Sequence, residues 1–260
     1  MESIHETEKL LFAKAAELEI ISFDPTLKAQ VPLFQKTVEE LEQEDELPKF
    51  LEKEELIKFL NQAKKGEPDE YEIFFVLAYT GVRIGELVVL MWTDIDSANN
   101  TISITKTVYK NKGVANLSLN PPKTKESKRI LDVDSMVIKL LKRLKARQNA
   151  FILGNKDKYK DSGFIFTRRD HLMGHPVPVS TIEKRMKVLL KEAGLNTELS
   201  PHSLRHTHTS LLAEAGAELN LIMQRLGHKS DRVTTEIYLH VTKSKKKDAV
   251  QKFSALMKNL

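Results

Sequence analysis

The side chains best suited to chemistry lie between residues 201 and 240. The segment PHSLRHTH, which begins at Pro201, carries His202 and Arg205; a later Leu-Gly-His carries His228, and Tyr238 follows ten residues after it. An arginine offers a planar fork of donors that matches a phosphate, and a neutral imidazole can donate one hydrogen bond or move one proton. A phenolate can attack phosphorus and hold the product as a covalent ester. Together these residues suit cleavage of a phosphodiester, with Tyr238 as the nucleophile.

Helical spacing indicates how these groups are presented. At 100° per residue, one stripe holds His202, Arg205, His206 and Thr209, and the opposite stripe holds Leu204, His208, Leu211 and Ala215. This predicts one packed face and one face that offers imidazole and guanidinium outward. Any single His or Tyr is more often a solvated or core residue than a reactive one, so the prediction depends on several such groups occurring in order.

A second arginine is expected just after a buried helix. Residues 70–79 are nearly all apolar and end at Gly81, which suits a left-handed turn. A further helix is then predicted through Met91, with Arg83 in its first turn and Glu86 three residues later on the same face. A carboxylate that holds an arginine near a core prepares it for an anion, although such a pair alone is more often a surface ion pair.

Between residues 101 and 133 the pattern becomes strand-like. The stretches 101–109, 115–120 and 129–133 predict a small antiparallel meander in an otherwise helical protein, so the expected fold class is mainly α with a small antiparallel β-sheet (α+β). The basic turn 121–129 carries Lys123, Lys125 and Lys128 and is interpreted either as a finger along a phosphate backbone or as a solvated hairpin tip. Arg168 and Arg169, in a later loop, are further candidates for DNA contacts.

Composition limits the class of protein. The 260 residues carry 41 Lys and Arg against 36 Asp and Glu, and this modest positive balance favours an anionic partner such as nucleic acid. With no cysteine there are no disulfides or thiolate metal sites, which fits a reducing cytoplasm. The longest apolar run, 73–79, is too short to span a bilayer, so no membrane association is expected.

Other chemistries fit the sequence less well. No Gly-x-x-x-x-Gly-Lys-Ser/Thr loop is present for ATP, and no His-Glu-x-x-His is present for zinc. Asp94 and Asp96 are interpreted as the entrance to a strand rather than as the metal site of a nuclease. No metal and no cofactor are therefore expected.

Two parts of the chain are expected. Residues 1–45 carry helical patterns over 7–19 and 27–42, and are either the end of a separate domain or an extension packed on the main body. The main domain is expected over residues 46–260, after the acidic run 42–46. Within it, helices are predicted over 136–153, over 180–193 with Ser180 as its cap, and over 219–225, with a short strand over 164–166. Residues 243–260 form a basic amphipathic pattern whose apolar stripe must be buried somewhere.

Taken in order, these segments resemble the tyrosine recombinase family, particularly phage and transposon integrases, over about residues 45–260. The segments are Thr80–Leu87, the lysine turn, His202–His206, Leu226–His228 and Tyr238. The resemblance implies the tyrosine recombinase catalytic domain fold and a site-specific DNA recombinase that cleaves and rejoins DNA through a 3′-phosphotyrosyl intermediate, without metal or ATP. The ten-residue gap from His228 to Tyr238 resembles that of integrases from Gram-positive mobile elements.

The same resemblance implies a role for each site residue. Arg83 is similar to the first phosphate-binding arginine, with Glu86 as its supporting acid. Lys123, with Lys125 as its rival in the same turn, is similar to the lysine that protonates the leaving 5′ hydroxyl. His202 and Arg205 match a His-x-x-Arg pair, His228 matches the later histidine and Tyr238 the nucleophile. Lys128, Arg168 and Arg169 remain candidates for DNA contacts.

The resemblance also implies partners and alternatives. The expected partner is double-stranded DNA, on which a homo-oligomer, a tetramer, assembles through the C-terminal helix with accessory DNA-bending or excision factors in a bacterial cytoplasm. Residues 1–45 would then be a remnant of a core-binding domain, and a chain with so little of that domain is expected to cleave or bind DNA poorly. Two alternatives stay open: a DNA-binding remnant that no longer recombines, and an enzyme similar to type IB topoisomerases that nicks and reseals.

Overall fold

The computed structural model describes residues 2–29, 49–108, 119–120, 128–228 and 231–242. The chain divides into two compact units, residues 1–46 and 47–260. That the first unit is a remnant of a core-binding domain stays a prediction. In the described part of the chain, no helix combines the length and the apolarity needed to cross a membrane.

The first unit contains helix α1 (Glu2–Glu17) and a short 3₁₀ helix (Pro25–Lys28). Asp24 caps the 3₁₀ helix by accepting a 2.8 Å hydrogen bond from the backbone N–H of Thr26. The predicted first helix is therefore present and begins earlier than expected. The predicted second helix, 27–42, falls mostly outside the described residues.

The described part of the second unit is mainly helical. Its helices are α2 (Lys53–Ala63), α3 (Glu70–Thr80), α4 (Ile84–Leu87), α5 (Ser135–Gly154), α6 (Val179–Glu192), α7 (Pro201–Glu214), α8 (Leu219–Leu226) and α9 (Arg232–Val241). Its strands are β1 (Ile95–Asp96), β2 (Thr101–Ile104), β3 (Thr107–Val108), β4 (Leu119–Asn120) and β5 (Arg129–Asp132). The predicted α+β class, mainly α with a small antiparallel sheet, is confirmed.

Helices α3 and α7 form the centre of this unit. The apolar run from Ile73 to Ala78 in α3 is fully buried, and Phe74 meets Phe59 of α2 edge to face with ring centroids 5.1 Å apart. Helix α7 packs against α3 on one side and against α9 on another. Because it has neighbours on both sides, α7 brings its polar residues into the interior rather than to an open face.

The strands pair differently from a simple meander. Strand β2 lies between β1 and β5 in an antiparallel sheet, with Ile102 opposite Leu131, while β3 and β4 form a separate two-stranded ladder. Lys106 lies in the break between β2 and β3, where its ammonium group contacts Asp94 at 2.7 Å. Asp94 ends a 3₁₀ helix (Trp92–Asp94) directly before β1, and Asp96 is the last residue of β1, so the two acids flank a strand as the sequence predicted.

The helix predicted from Val82 to Met91 was wrong in extent. Only Ile84–Leu87 is helical, because the backbone beyond it bonds across the chain: the Leu90 carbonyl accepts from the Ile165 N–H at 2.9 Å and Met91 pairs with Phe164. These contacts also replace the strand predicted over 164–166, which is reduced to an isolated bridge.

The predicted cap of α6 was wrong by two residues. The helix begins at Val179, and Pro178 is the capping residue, since its carbonyl accepts from the N–H groups of Thr181 and Ile182. Proline fixes its own φ and removes a donor, so it can precede a helix without leaving an unpaired N–H.

Candidate active site

Arg205 lies at the centre of the site. Its guanidinium donates from Nη1 to the Gly81 carbonyl and from Nη2 to the Leu226 carbonyl, both at 2.6 Å. It therefore joins the end of α3 to the end of α8. Only 2% of Arg205 is exposed, and burial, together with the positive charge of Arg83, lowers its pKa to about 9.

This burial corrects the predicted orientation of α7. Arg205 and Thr209 were expected on an outward stripe, but both are buried because α3 and α9 cover that side of the helix. His202 alone on that stripe is exposed, and His206 is half-buried. The opposite stripe packs only in its first half: Leu204 and His208 are buried, Leu211 is half-buried and Ala215 is exposed. His208 bonds through Nδ1 to the Ala78 carbonyl at 2.9 Å.

Arg83 is held by Glu86 through two contacts. The Arg83 backbone N–H donates to one carboxylate oxygen at 2.9 Å, and Nη1 of its side chain donates to the other at 3.2 Å. The Glu86 side chain is 2% exposed and that of Arg83 is 33% exposed, so the carboxylate lies behind a guanidinium that reaches solvent. The predicted pairing of Arg83 with Glu86 is therefore present, and anion binding by Arg83 stays a prediction.

Glu86 stays ionised in spite of its burial. Desolvation opposes the charge, but the hydrogen bond and positive charge of Arg129, with further support from Arg83, outweigh it and lower the Glu86 pKa. A buried carboxylate with two arginine partners is stable only as a complete set, because removing one partner leaves an incompletely compensated charge.

Gly81 allows the turn that precedes Arg83. Its φ is +66°, and a Cβ at this position would lie 2.6 Å from Cδ2 of His208 and 2.9 Å from Cδ2 of Leu226. A glycine is required for both reasons, since other residues avoid this conformation and no space exists for a side chain. The carbonyl that accepts from Arg205 belongs to this same residue.

His228 follows α8 directly after Gly227, which ends the helix with a φ of +68°. Its Nε2 lies 2.8 Å from Nη2 of Arg205, and its Nδ1 lies 3.2 Å from a carboxylate oxygen of Asp231. A guanidinium only donates, so Nε2 accepts and Nδ1 carries the proton that faces Asp231. Burial and the charge of Arg205 lower the pKa of His228 to about 4, which keeps the ring neutral at pH 7.

Asp231 and Thr234 connect this histidine to the tyrosine helix. Asp231 caps α9 by accepting from the Thr234 N–H at 2.9 Å, and the Thr234 hydroxyl lies 3.3 Å from Nδ1 of His228. Tyr238 lies one helical turn after Thr234, so the two side chains share a face. The arginine and histidine cluster is thus joined through α9 to the predicted nucleophile.

Tyr238 is half-buried against the apolar cluster of Ala213, Ile222 and Leu226. Within the described residues its hydroxyl makes no hydrogen bond. The ring is therefore held by packing, while the phenol group is left available for another partner.

His202 and His206 form a pair at the rim. Their ring centroids are 4.7 Å apart in an edge-to-face arrangement. Desolvation and the charge of Arg205 lower the pKa of His202, and desolvation and His202 lower that of His206 to about 4. Both rings are therefore neutral near pH 7.

Three polar residues of the site were not identified from the sequence: Arg129, Arg225 and Asp231. Arg129 bonds both oxygens of Glu86 at 2.9 and 3.1 Å, and Arg225 donates from Nε to Nε2 of His208 at 3.1 Å. Asp231, three residues before Thr234, is a residue type that often caps a helix, and this local signal is present in the sequence. The two arginines left no local signal, because their partners are distant in the chain.

The remaining predicted DNA contacts have different positions. Lys123 and Lys125 lie outside the described residues, and Lys128 is exposed directly before β5. Arg168 pairs with Asp170, and Arg169 binds Asp69 at 2.7 Å while lying 5.0 Å from the ring centre of Phe151. DNA contacts by these residues stay predictions, and for Arg169 the ion pair gives a structural role as well.

Comparisons with known proteins identify the family of this chain. Residues 49–245 match the model of the phage integrase family. The chain is 33% identical over 236 residues to the integrase of Staphylococcus phage L54a, and the aligned region is 87% of this chain and 66% of the relative. It is 32% identical over 224 residues to a XerC-like tyrosine recombinase of Caldanaerobacter subterraneus, and the aligned region is 82% of this chain and 55% of the relative. The chain thus spans less than two thirds of the length of these relatives.

A solved structure shares the fold. The Tn1549 transposon integrase in complex with transposon right end DNA superposes with a TM-score of 0.71 at 21% identity, over 97% of this chain and 78% of that one. The family match includes every segment on which the site is built, from Gly81 to Tyr238. The chain belongs to the phage integrase family of tyrosine recombinases.

Proposed function

We propose that this chain is the catalytic part of a site-specific DNA recombinase, an integrase, that cleaves and rejoins DNA through a 3′-phosphotyrosyl intermediate. The observation that carries the proposal is the direct contact between Arg205 and His228, which is anchored to the first turn of the Tyr238 helix through Asp231 and Thr234. Arg83 completes the cluster: its charge acts on Arg205 and on both His202 and His228.

In cleavage, Tyr238 Oη attacks the scissile phosphorus and the bond to the 5′ oxygen breaks. Arg83 and Arg205 neutralise charge on the non-bridging oxygens, a role that fixed donors perform without reorganisation during the reaction. Lys123, or Lys125 in the same turn, protonates the departing 5′ oxygen. Rejoining is the reverse step, in which a 5′ hydroxyl attacks the phosphotyrosyl ester and Tyr238 leaves.

The phenol proton requires an acceptor, since a phenol of ordinary pKa near 10 is protonated at pH 7. His228 already uses Nε2 to accept from Arg205. His202 is exposed at the rim and neutral, so it is the better placed of the two imidazoles. The ester conserves the energy of the broken bond, and rejoining therefore requires no ATP.

The partners follow from the same proposal. Double-stranded DNA is the substrate, in line with the positive net charge and with the DNA in the structure of the Tn1549 integrase. We further propose a homo-tetramer on DNA that assembles through residues 243–260, accessory DNA-bending or excision factors, and action in the bacterial cytoplasm.

A cleavage assay on labelled, nicked duplexes tests the proposal. A nick beside the scissile phosphate releases a short fragment and traps the covalent enzyme. Wild type and the control Tyr79→Phe, whose tyrosine is also partly exposed, are expected to form a 3′ adduct that Tyr238→Phe does not form. An adduct that persists in Tyr238→Phe would contradict the assignment.

The same assay separates the alternatives. A Holliday junction formed from two duplexes indicates strand exchange, whereas relaxation of supercoiled DNA without junctions indicates activity of the topoisomerase type. Binding of DNA without any adduct in the wild type would indicate a DNA-binding remnant.

A further inference from the structure

The side chain of Arg129 reaches two separate parts of the active site. It lies at the start of β5, immediately after the lysine turn, and is 7% exposed. Its Nη1 and Nη2 donate to the two oxygens of Glu86 at 3.1 and 2.9 Å, and its Nε donates to the Arg225 carbonyl at 2.8 Å. One guanidinium thus uses all three nitrogens on fixed partners.

The carboxylate that Arg129 holds is the one that holds Arg83. Each oxygen of Glu86 accepts once from Arg129 and once from Arg83. Arg129 fixes both oxygens in a bidentate geometry, which defines the plane of the carboxylate. The direction of the Arg83 guanidinium then follows from that plane.

The second contact reaches α8 next to Arg205. The Arg225 carbonyl accepts from Arg129 and the Leu226 carbonyl accepts from Arg205, so two arginines bind adjacent carbonyls at the end of this helix. Arg225 also bonds in the other direction: its Nη1 donates to the Asp132 carbonyl of β5 at 2.7 Å. Strand β5 and helix α8 therefore hold each other by reciprocal bonds.

Exposure separates the roles of the two arginines that share Glu86. The Arg83 side chain is 33% exposed and the Arg129 side chain 7% exposed, so Arg83 is the one that can meet a phosphate while Arg129 lies behind it. We propose that Arg129 is a positioning residue, which acts through Glu86 to orient Arg83 and keeps the strand after the lysine turn in register with the end of α8. This inference rests on the proposed function.

A double-mutant cycle tests the inference in single-turnover adduct formation. If Arg129 acts through Arg83, Arg129→Gln should slow adduct formation by about 10- to 100-fold. A displacement of a catalytic group by about 1 Å from the reactive geometry can reduce a rate by that factor. In the Arg83→Ala background the same change should cost less than about threefold, since coupled residues are not additive. Arg129→Lys should restore only part of the rate, because an ammonium cannot bind both carboxylate oxygens in the same fork.

The control must break a similar ion pair elsewhere. Arg185 contacts Glu70, a carboxylate that is also buried, so Arg185→Gln removes an arginine from a buried acid without touching the site. The unfolding midpoint of Arg185→Gln should fall as that of Arg129→Gln does, while its rate of adduct formation stays near that of the wild type. An equal rate loss from Arg129→Gln in both backgrounds would show a merely structural role and overturn the inference.

A second readout does not depend on activity. If the wild type forms no adduct, the proposed function fails, but the NMR signal of the Arg83 Nε–H still reports its environment and can be identified by its loss in Arg83→Lys. A positioned guanidinium should give a distinct signal in wild type and Arg185→Gln that moves to the position of exposed arginines in Arg129→Gln. An unchanged signal in Arg129→Gln would overturn the positioning role.

Discussion

Arg83 and Arg205 face the same proposed phosphate from different depths. The side chain of Arg83 is 33% exposed, whereas Arg205 is 2% exposed and donates to two backbone carbonyls. The two residues should therefore be equivalent in catalysis and different in stability.

Alanine at either position is expected to raise the cleavage barrier by about 2.7 to 4 kcal/mol, as for a lost oxyanion donor. Both variants should lower the free energy of unfolding, Arg83→Ala because it leaves the buried Glu86 with one arginine partner fewer. Arg205→Ala should lower it further, because it leaves the Gly81 and Leu226 carbonyls without donors at about 1 to 3 kcal/mol for each buried group. Single-turnover cleavage and urea unfolding of both variants measure the difference. Cleavage at the wild-type rate in either variant, or equal stability, would contradict this prediction.

His208 should make stability depend on pH. Burial, with a smaller contribution from Arg225, lowers its pKa to about 3, and the neutral ring bonds both Ala78 and Arg225. The unfolded chain takes up a proton near pH 6.5 and the folded chain does not until about pH 3. The contribution of His208 to the free energy of unfolding is therefore fully present above pH 6.5, and it is lost as the pH falls towards 3.

Between these pH values His208→Gln should reduce the slope of unfolding free energy by about 1.4 kcal/mol per pH unit, the value for one proton. Urea unfolding at a series of pH values measures the slope, and His171→Gln, at a side chain that is 78% exposed, serves as the control. The prediction fails if the two variants have the same slope.

At the scale of elements, the site depends on two helix ends. Helix α3 ends at Gly81 and helix α8 ends at Gly227, both in the left-handed region. Arg205 donates a hydrogen bond to one carbonyl at each end, that of Gly81 and that of Leu226. The relative placement of α3 and α8 therefore sets the place of the guanidinium.

Gly81→Ala tests this dependence. Alanine would be strained in the left-handed conformation that the turn requires, and its Cβ would press on His208 and Leu226, so we expect a loss of about 2 to 4 kcal/mol of stability from backbone strain and overpacking together. DNA cleavage should fall as well, because the carbonyl that holds Arg205 would move. Gly154→Ala is the matched control, since its added Cβ has no atom within 4 Å. Wild-type stability in Gly81→Ala would show that the turn adapts.

At the scale of the whole molecule, the proposed tetramer depends on residues 243–260, whose apolar stripe was predicted to dock on another protomer. Deletion of these residues should leave DNA binding by one protomer measurable and reduce multimers on DNA. Mass photometry or analytical ultracentrifugation with duplex DNA measures the assembly. Multimers that form equally well without the segment would rule out this role.

Much of the site could be predicted from the sequence because the signals are local. Gly81 and Gly227 mark helix ends by their conformational freedom, and the predicted Arg83–Glu86 pair is a contact over three residues. The mainly helical class with a small sheet also followed from periodicity. The extent of the helix after Arg83 did not, because its backbone bonds to Ile165 and Phe164 depend on a distant segment.

By itself, the sequence determined which reactive groups the chain has, their order, and the turns at which they occur. The tertiary structure decided that Arg205 is buried, that Arg129 shares Glu86 with Arg83, and that His228 takes its neutral form between Arg205 and Asp231. The bond from Arg205 to Gly81 spans 124 residues and that from Arg129 to Glu86 spans 43. Such pairs form only when α3, α4, α7 and β5 pack together, and local residue spacing carries no information on which distant polar groups that packing joins.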